Sequence, residues 1–449
     1  MNNMFNRSRK INNITPKHYI SYFLGSAGYT VPFFLIALYL INFYNPPKHE
    51  SLPVLLYQKP IWGFSILSII IILVRVLDIA IDPIIANLSD KSSNPKGKRL
   101  PFMKRAFLPA SFGAFLIFMP PNNFPSILNV IWVTFSMSIC VIAFSTYVTP
   151  FLTHMSSLCK SEKDRINLST FQGLGESIGV IIAGQAPFVW YILQSSNFSP
   201  IETRRISFLI FCIIAMFLMI IPLVLLKGTD IQKPSKSFSL KEGLKTAFSN
   251  KNFRIFIISY TIFIICVEMV QAGAFYFVTV LLELDAKMLS ILISLMVPSS
   301  ILAAPIANIF AKKYGKKIVI ACTFLFLAFL MVFLVFLGKY PISKELQAYL
   351  AFFAGGLPLG SMSVLVMAVV TDIVEKSKKY QEVPEAIFVA GKNFSYKTGI
   401  TLGSAIFASM ILLGKDRGDD LGIRLSCALG CFLCLLAFGI FTSMFDSSK

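Results

Sequence analysis

Charge is scarce in this 449-residue chain: Asp, Glu, Lys and Arg together make up 14%, whereas hydrophobic residues make up 55%. With a mean hydropathy of +0.71, such a chain lacks the polar surface that several soluble domains need, which leaves an integral membrane protein. Acids are the scarcer charge, 22 against 41 Lys and Arg, for a formal net charge of +19. A surplus of this size can point to nucleic acid, but here the Lys and Arg collect between apolar stretches, where they set topology. No nucleic-acid partner is expected. Histidine occurs only three times, at His18, His49 and His154, far apart and never at metal-ligand spacing with the eight cysteines. An enzyme would need a nucleophile, base or metal constellation, so neither an enzyme nor a cofactor is expected. Cys427, Cys431 and Cys434 share one helical face and read as small buried hydrophobes.

Apolar runs of about 20 residues, enough to cross about 30 Å of hydrocarbon as a helix, fill most of the chain. Polar breaks divide them into twelve spans: 18–42, 61–88, 104–121, 127–153, 168–193, 204–226, 253–282, 287–311, 317–338, 346–371, 386–413 and 421–445. The basic segment before the first span has no cleavage site after it, so that span is read as the insertion signal. An even number of spans puts both termini on one side. Lys and Arg cluster in the termini and alternate loops, which predicts cytoplasmic termini and a plasma (inner) membrane location. Trp62, Trp132 and Trp190 fall near span ends on the opposite side, where aromatic belts sit.

The break at 227–252 separates an N-terminal six-helix bundle, 1–226, from a C-terminal one, 253–449. Within the break, 240–248 is patterned as an amphipathic surface helix or a flexible linker. An internal repeat supports the division. Pro83-Ile84-Ile85-Ala86-Asn87, followed by Gly97-Lys98-Arg99, is echoed by Pro305-Ile306-Ala307-Asn308 followed by Gly315-Lys316-Lys317. In each half the motif ends the second span, about half a chain length apart. The expected fold is therefore an all-α polytopic membrane protein of the major facilitator type, with twelve transmembrane helices in two pseudo-symmetric halves and a site between them.

The second span carries Arg75, Asp78 and Asp82 in its middle, with Pro83 next. A charged side chain at the bilayer centre costs about 2.5–3.5 kcal/mol on insertion scales, so three within eight residues indicate a function. Their i, i+3 and i, i+4 spacings put all three on one helix face, which must point into the bundle. Two neighbouring carboxylates in a poorly hydrated place do not both stay ionised unaided: one takes a proton, or a cation such as Na⁺ sits between Asp78 and Asp82. Pro83 has no N–H to give the Ile79 carbonyl, which is left for a cation or water. The plainer alternative is an Arg75 ion pair used for packing.

Other intramembrane polar groups are Glu176 in the fifth span, Glu268 and Gln271 in the seventh, and Lys392, Asn393 and Lys397 in the eleventh. Lys397 is followed by Gly399, Gly403 and Ser404, which permit close helix approach, and Asp78 or Asp82 is its expected partner across the two halves. Lys392, nearer the span end, is expected to snorkel. Glu176 and Glu268 either line the cavity or pair locally. Between the second and third spans, Asp90, Gly97, Lys98 and Arg99 read either as a gate that breaks and reforms ionic contacts or as topology signals alone.

The run Arg75-Val76-Leu77-Asp78-Ile79-Ala80-Ile81-Asp82-Pro83, followed by Ser89-Asp90-Lys91 and Gly97-Lys98-Arg99-Leu100-Pro101, resembles the signature of the glycoside-pentoside-hexuronide:cation symporter family (melibiose permease-like). Pro150-Phe151, Asp164-Arg165, Asp372 with Glu375, and Tyr396-Lys397-Thr398-Gly399 extend the resemblance over nearly the whole chain. It implies that Asp78 and Asp82 form a Na⁺ or H⁺ site, that Lys397 lies between cation and solute, and that Asp164, Arg165 and Asp372 belong to the cytoplasmic gate. Arg75, Asn393, Glu268, Gln271 and Glu176 complete the expected solute and coupling set. The chain departs from the family at Ser26, Val148 and Gln172, where its sugar carriers have acids or an arginine. The related sodium-coupled lysophospholipid symporters share the second-span signature and a first span similar to Tyr22-Phe23-Leu24-Gly25-Ser26-Ala27-Gly28.

The expected function is cation-coupled symport of a small organic solute, of sugar or glycoside type, by a monomer in the lipid bilayer. Na⁺ or H⁺ is the coupling ion. A lysophospholipid or other amphiphile symporter, and a non-coupled carrier or sensor, are the alternatives.

Overall fold

The structure, a computed structural model, describes residues 14–92, 98–159, 161–227, 248–378 and 385–445. Its transmembrane elements are α1 (Pro16–Tyr44), α2 (Ile66–Lys91), α3 (Leu100–Ile117), α4 (Ile127–Leu158), α5 (Glu162–Gly184), α6 (Ala186–Gln194), α7 (Pro200–Leu225), α8 (Lys251–Tyr276), α9 (Met288–Tyr314), α10 (Lys316–Val335), α11 (Lys344–Lys378), α12 (Glu385–Met410) and α13 (Leu421–Met444). Counting α5 and α6 as one interrupted span, eleven of these are long and apolar enough to cross a membrane. The twelfth, α2, is long enough but carries the charges of Arg75, Asp78 and Asp82. The expected fold class is the one observed.

Local chemistry explains where several helices start. Ser65, Ser126, Ser161 and Asn250 each accept a hydrogen bond from the backbone N–H three residues on, at the starts of α2, α4, α5 and α8. At α7, Ser199 and Glu202 cap each other's backbone in a capping box. The second span starts later than its apolar run because residues 61–64 close a tight turn, with Trp62 and Gly63 at φ 53° and 83°. Trp62 is 97% exposed there. Trp190, by contrast, is buried in the core, so it is no belt residue. Of the segment 240–248, only Phe248 lies within the described residues, packed against Phe253.

In the first half α1 packs on α5 and α7, and α3 and α2 pack on α4. In the second half α9 packs on α11, α8 on α12, and α13 on α8 and α10. The halves meet through α2 with α12, α1 with α8, and α5 and α6 with α9. Small residues set the closest approaches: a Cβ at Gly175 would run into the carbonyl of Phe23, and one at Gly360 into that of Ser300.

The start of α1 and the end of α13 lie at one end of the bundle, and the loop between α1 and α2 lies at the other. At this loop end the halves are pinned together. Tyr276 donates to the carbonyl of Asn45 at 2.7 Å, the Lys48 N–H to Asp416 at 2.6 Å, and Lys415 to Gln58 at 3.0 Å. Ser68 donates to the carbonyl of Ala405 at 2.8 Å, and Gln185, at the break between α5 and α6, donates to Ser294 at 3.1 Å. Beside this seam Glu50 pairs with the buried Arg204, which stacks on Trp190 at 3.9 Å. Burial works against the Glu50 carboxylate, but its His49 hydrogen bond and the Arg204 charge prevail and hold it below the usual range.

Candidate ion and solute site

The continuous helix α2 presents Arg75, Asp78 and Asp82 on one face, opposite α4 and α12. Asp78 is 4% exposed and receives an Arg75 hydrogen bond at 3.1 Å. From the other half, Lys397 Nζ lies 2.9 Å from Asp78 Oδ1 and 2.6 Å from Asp82 Oδ2. The two acids and the lysine thus meet across the interface, as the spacing and the small residues of the eleventh span predict. Ser145 on α4 closes the cluster, its hydroxyl 3.2 Å from Asp78 Oδ1 and 2.7 Å from Asp82 Oδ1. Sequence reasoning missed Ser145, because a lone serine in an apolar helix has no pattern to mark it.

The cluster is suited to exchanging cations. Two carboxylates and a hydroxyl form an all-oxygen donor set, which suits a hard cation or a proton. No group of three or more His, Cys, Asp or Glu able to hold a metal ion occurs among the described residues. The Lys397 ammonium now rests against both acids, where an incoming cation would compete with it.

The other predicted polar residues divide into those that converge and those that do not. On α5, Glu176 accepts hydrogen bonds from Tyr29 and from Gln172, the latter at 3.0 Å, and acts electrostatically on Lys392 and Tyr396 across the interface. Lys392 is half-buried on α12. Glu268 on α8 is buried and accepts from Ser404 at 2.5 Å. Gln271 is half-buried and Asn393 exposed, and neither side chain has a hydrogen-bond partner among the described residues.

At the terminal end Asp372 binds Lys316, 2.7 Å from both carboxylate oxygens, and Arg99 donates to Ser157 at 2.7 Å. These contacts stay within one half each. Asp164 lies in the first turn of α5, where its N–H is capped by Ser161, and Arg165 follows it on the exposed side. Gly97 lies outside the described residues, as does the side chain of Asp90. The loop-end pins and the Glu50–Arg204 pair were also missed. Arg204 and Arg205, two cations at a span end otherwise poor in them, were the available signal.

Twelve spans in two six-helix sets, with charges converging between them, define a major facilitator-type transporter. The family comparison narrows this further. Residues 21–414 match the model of the MFS/sugar transport protein family, and the chain belongs to that family. It is 22% identical over 406 residues to the isoprimeverose transporter of Lactiplantibacillus pentosus, covering 88% of this chain and 79% of that one. It is 21% identical over 442 residues to the raffinose carrier protein of Pediococcus pentosaceus, covering 94% and 68%. A point mutant of the nucleoside transporter NupG superposes with a TM-score of 0.69 at 14% identity, covering 96% of this chain and 99% of that one. A D-xylose-proton symporter does so with 0.67 at 14% identity, covering 96% and 98%. The protein is an integral membrane transporter of small solutes and not an enzyme.

Proposed function

We propose that the protein is a cation-coupled symporter of a sugar or glycoside-type solute, of the glycoside-pentoside-hexuronide:cation type, working by alternating access. The observation that carries this reading is Lys397 bridging Asp78 and Asp82 across the two halves. An entering Na⁺ or H⁺ neutralises the acids and releases the lysine from α2. Binding of the ion is thereby tied to the fit of α12 against the N-terminal half. Glu176, Gln271, Lys392 and Asn393 offer the solute a mixed set of donors and acceptors, as hydroxyl-rich molecules require. Resemblance to carriers named for isoprimeverose and raffinose supports the solute class.

The halves divide at 226/253, the termini face the cytoplasm across the plasma membrane, and the monomer is the working unit. Asp90, Gly97, Lys98, Arg99, Asp164, Arg165 and Asp372 form the gate at the terminal end. Solute counterflow in proteoliposomes tests the reading. Wild type is expected to exchange an accepted sugar faster with Na⁺ or at acid pH, and Asp78→Asn and Asp82→Asn are expected to lose that acceleration. Acceleration that survives both substitutions rejects coupling at these acids.

One observation favours an amphiphile instead. A groove of about 680 Å³ at the loop-end seam is lined by Phe188, Tyr191, Met288 and Ile291, with Lys287 and Glu345 among its polar lining residues. Thermal stabilisation by a lysophospholipid and by no sugar would favour that reading.

A further inference from the structure

The α2 cluster uses Arg75 and Lys397, and among the described residues one buried acid is left over. This is Glu268 on α8, 4% exposed, with Ser404 Oγ donating to its Oε1 at 2.5 Å. Gly403 lets α12 close over it, since a Cβ there would press on the Glu268 side chain. The charged and titratable groups around α8 have other partners. From α12, Lys397 is held by Asp78 and Asp82, Lys392 feels Glu176, and the Tyr396 phenol, which brings no positive charge, lies within electrostatic reach of Glu268 first and of Glu176 second. From α1, Tyr29 is bonded to Glu176. From α13, Arg424 binds Asp420 and the carbonyls of Val335 and Leu337, while Cys434 meets Cys266. From α11, Asp372 binds Lys316. Arg75 on α2 acts on Glu268 only at a distance, its guanidinium being given to Asp78.

A carboxylate shut into an apolar helix interface without a cation is costly, and such a group is held more cheaply with a proton. One carboxyl and one hydroxyl are too few oxygens for a metal cation, whereas a proton needs only one. We propose that Glu268 is a proton-binding site of its own in the C-terminal half, separate from the acid pair on α2. Oε1 is then the carbonyl oxygen that accepts from Ser404, and Oε2 carries the proton. Ser404 follows Lys397 by seven residues on α12, so the two sites lie roughly 10 Å apart along one helix. The inference goes beyond the coupled-carrier reading and does not require it.

Infrared spectroscopy of the purified full-length protein at neutral pH, compared in H₂O and D₂O, reads the C=O stretch of a protonated carboxyl. Wild type is expected to show this deuteration-sensitive band, Glu268→Gln to lack it, and Asp78→Asn to keep it. In Ser404→Ala, which keeps the acid but removes its hydrogen bond, the band is expected at higher frequency. A band of unchanged size in Glu268→Gln overturns the proposal. So does an unmoved band in Ser404→Ala, the variant that decides the matter if the glutamine form does not fold. A band lost in Asp78→Asn but kept in Glu268→Gln overturns it too, while leaving coupling at α2 intact.

Discussion

Asp78 is the residue on which the central cluster turns, because it alone touches both Arg75 and Lys397. Asp78→Ala strands the half-buried Arg75 and leaves Lys397 with Asp82 alone, and removing one partner of a buried pair costs about 3–5 kcal/mol. A clear drop in unfolding temperature in a thermal-shift assay is the expected result. Asp82→Ala is expected to cost less, since that side chain is 35% exposed. Lys397→Met leaves two facing carboxylates with Arg75 alone, so Na⁺ is expected to stabilise this variant more than it stabilises wild type. An equal shift would show that the lysine does not compete with the ion. Much of this cluster was legible in the sequence, because charges in an apolar run are costly and their i, i+3 and i, i+4 spacing fixes a face. Its fifth member was not, because Ser145 is cheap to bury and is defined only by what α2 brings near it.

Between helices, small residues decide what can pack. Gly175 and Gly360 abut backbone carbonyls of neighbouring helices, whereas nothing lies within 4 Å of a Cβ placed at Gly173 or Gly439. Gly175→Leu and Gly360→Leu are expected to abolish monodisperse protein on size-exclusion chromatography. Gly173→Ala and Gly439→Ala are expected to fold and to gain about 0.5–1 kcal/mol, by removing glycine from a helix interior. Periodicity placed the twelve spans well but read 168–193 as one helix. The interruption at Gln185 falls where Pro187 opens α6, a local break signal that the hydropathy pattern alone passes over. The loop between α12 and α13 carries a pH dependence. Burial, opposed by Asp416 and aided by Lys48, brings the Lys415 ammonium from 10.5 down to about 8. Opening the seam exposes Lys415 and restores its ordinary affinity for protons. Between about pH 8 and 10.5 the open state therefore holds a proton that the pinned state lacks, and raising the pH through this window favours the pinned state. Ser409 sits in the same seam, its hydroxyl 2.8 Å from that of Ser68; in a background without native cysteines, Ser409→Cys is expected to react more slowly with a thiol reagent as pH rises, after correction for thiol ionisation. Lys415→Gln is expected to remove that trend.

For the whole molecule, the alternating-access reading requires the loop-end seam to part. Lys48 and Asp416 belong to different halves and touch at the loop end. In the same background, the pair Lys48→Cys and Asp416→Cys is expected to oxidise to a disulfide that stops solute counterflow, with recovery on reduction. Counterflow at the wild-type rate with the disulfide formed would mean that the seam does not part during transport. The division into halves and the end bearing the cations were readable from the repeat and the loops, whereas the pins were not, since they join polar groups of no distinctive spacing. The central cluster also has an electrical consequence. Its two acids and two bases sum to zero when no ion is bound, so on the coupled reading these four groups carry no net charge through the field on the empty return. With one monovalent cation aboard they carry a single positive charge, on which a membrane potential acts with about 2.3 kcal/mol per 100 mV. A voltage step would then change the rate of the loaded crossing and leave the empty one unaltered.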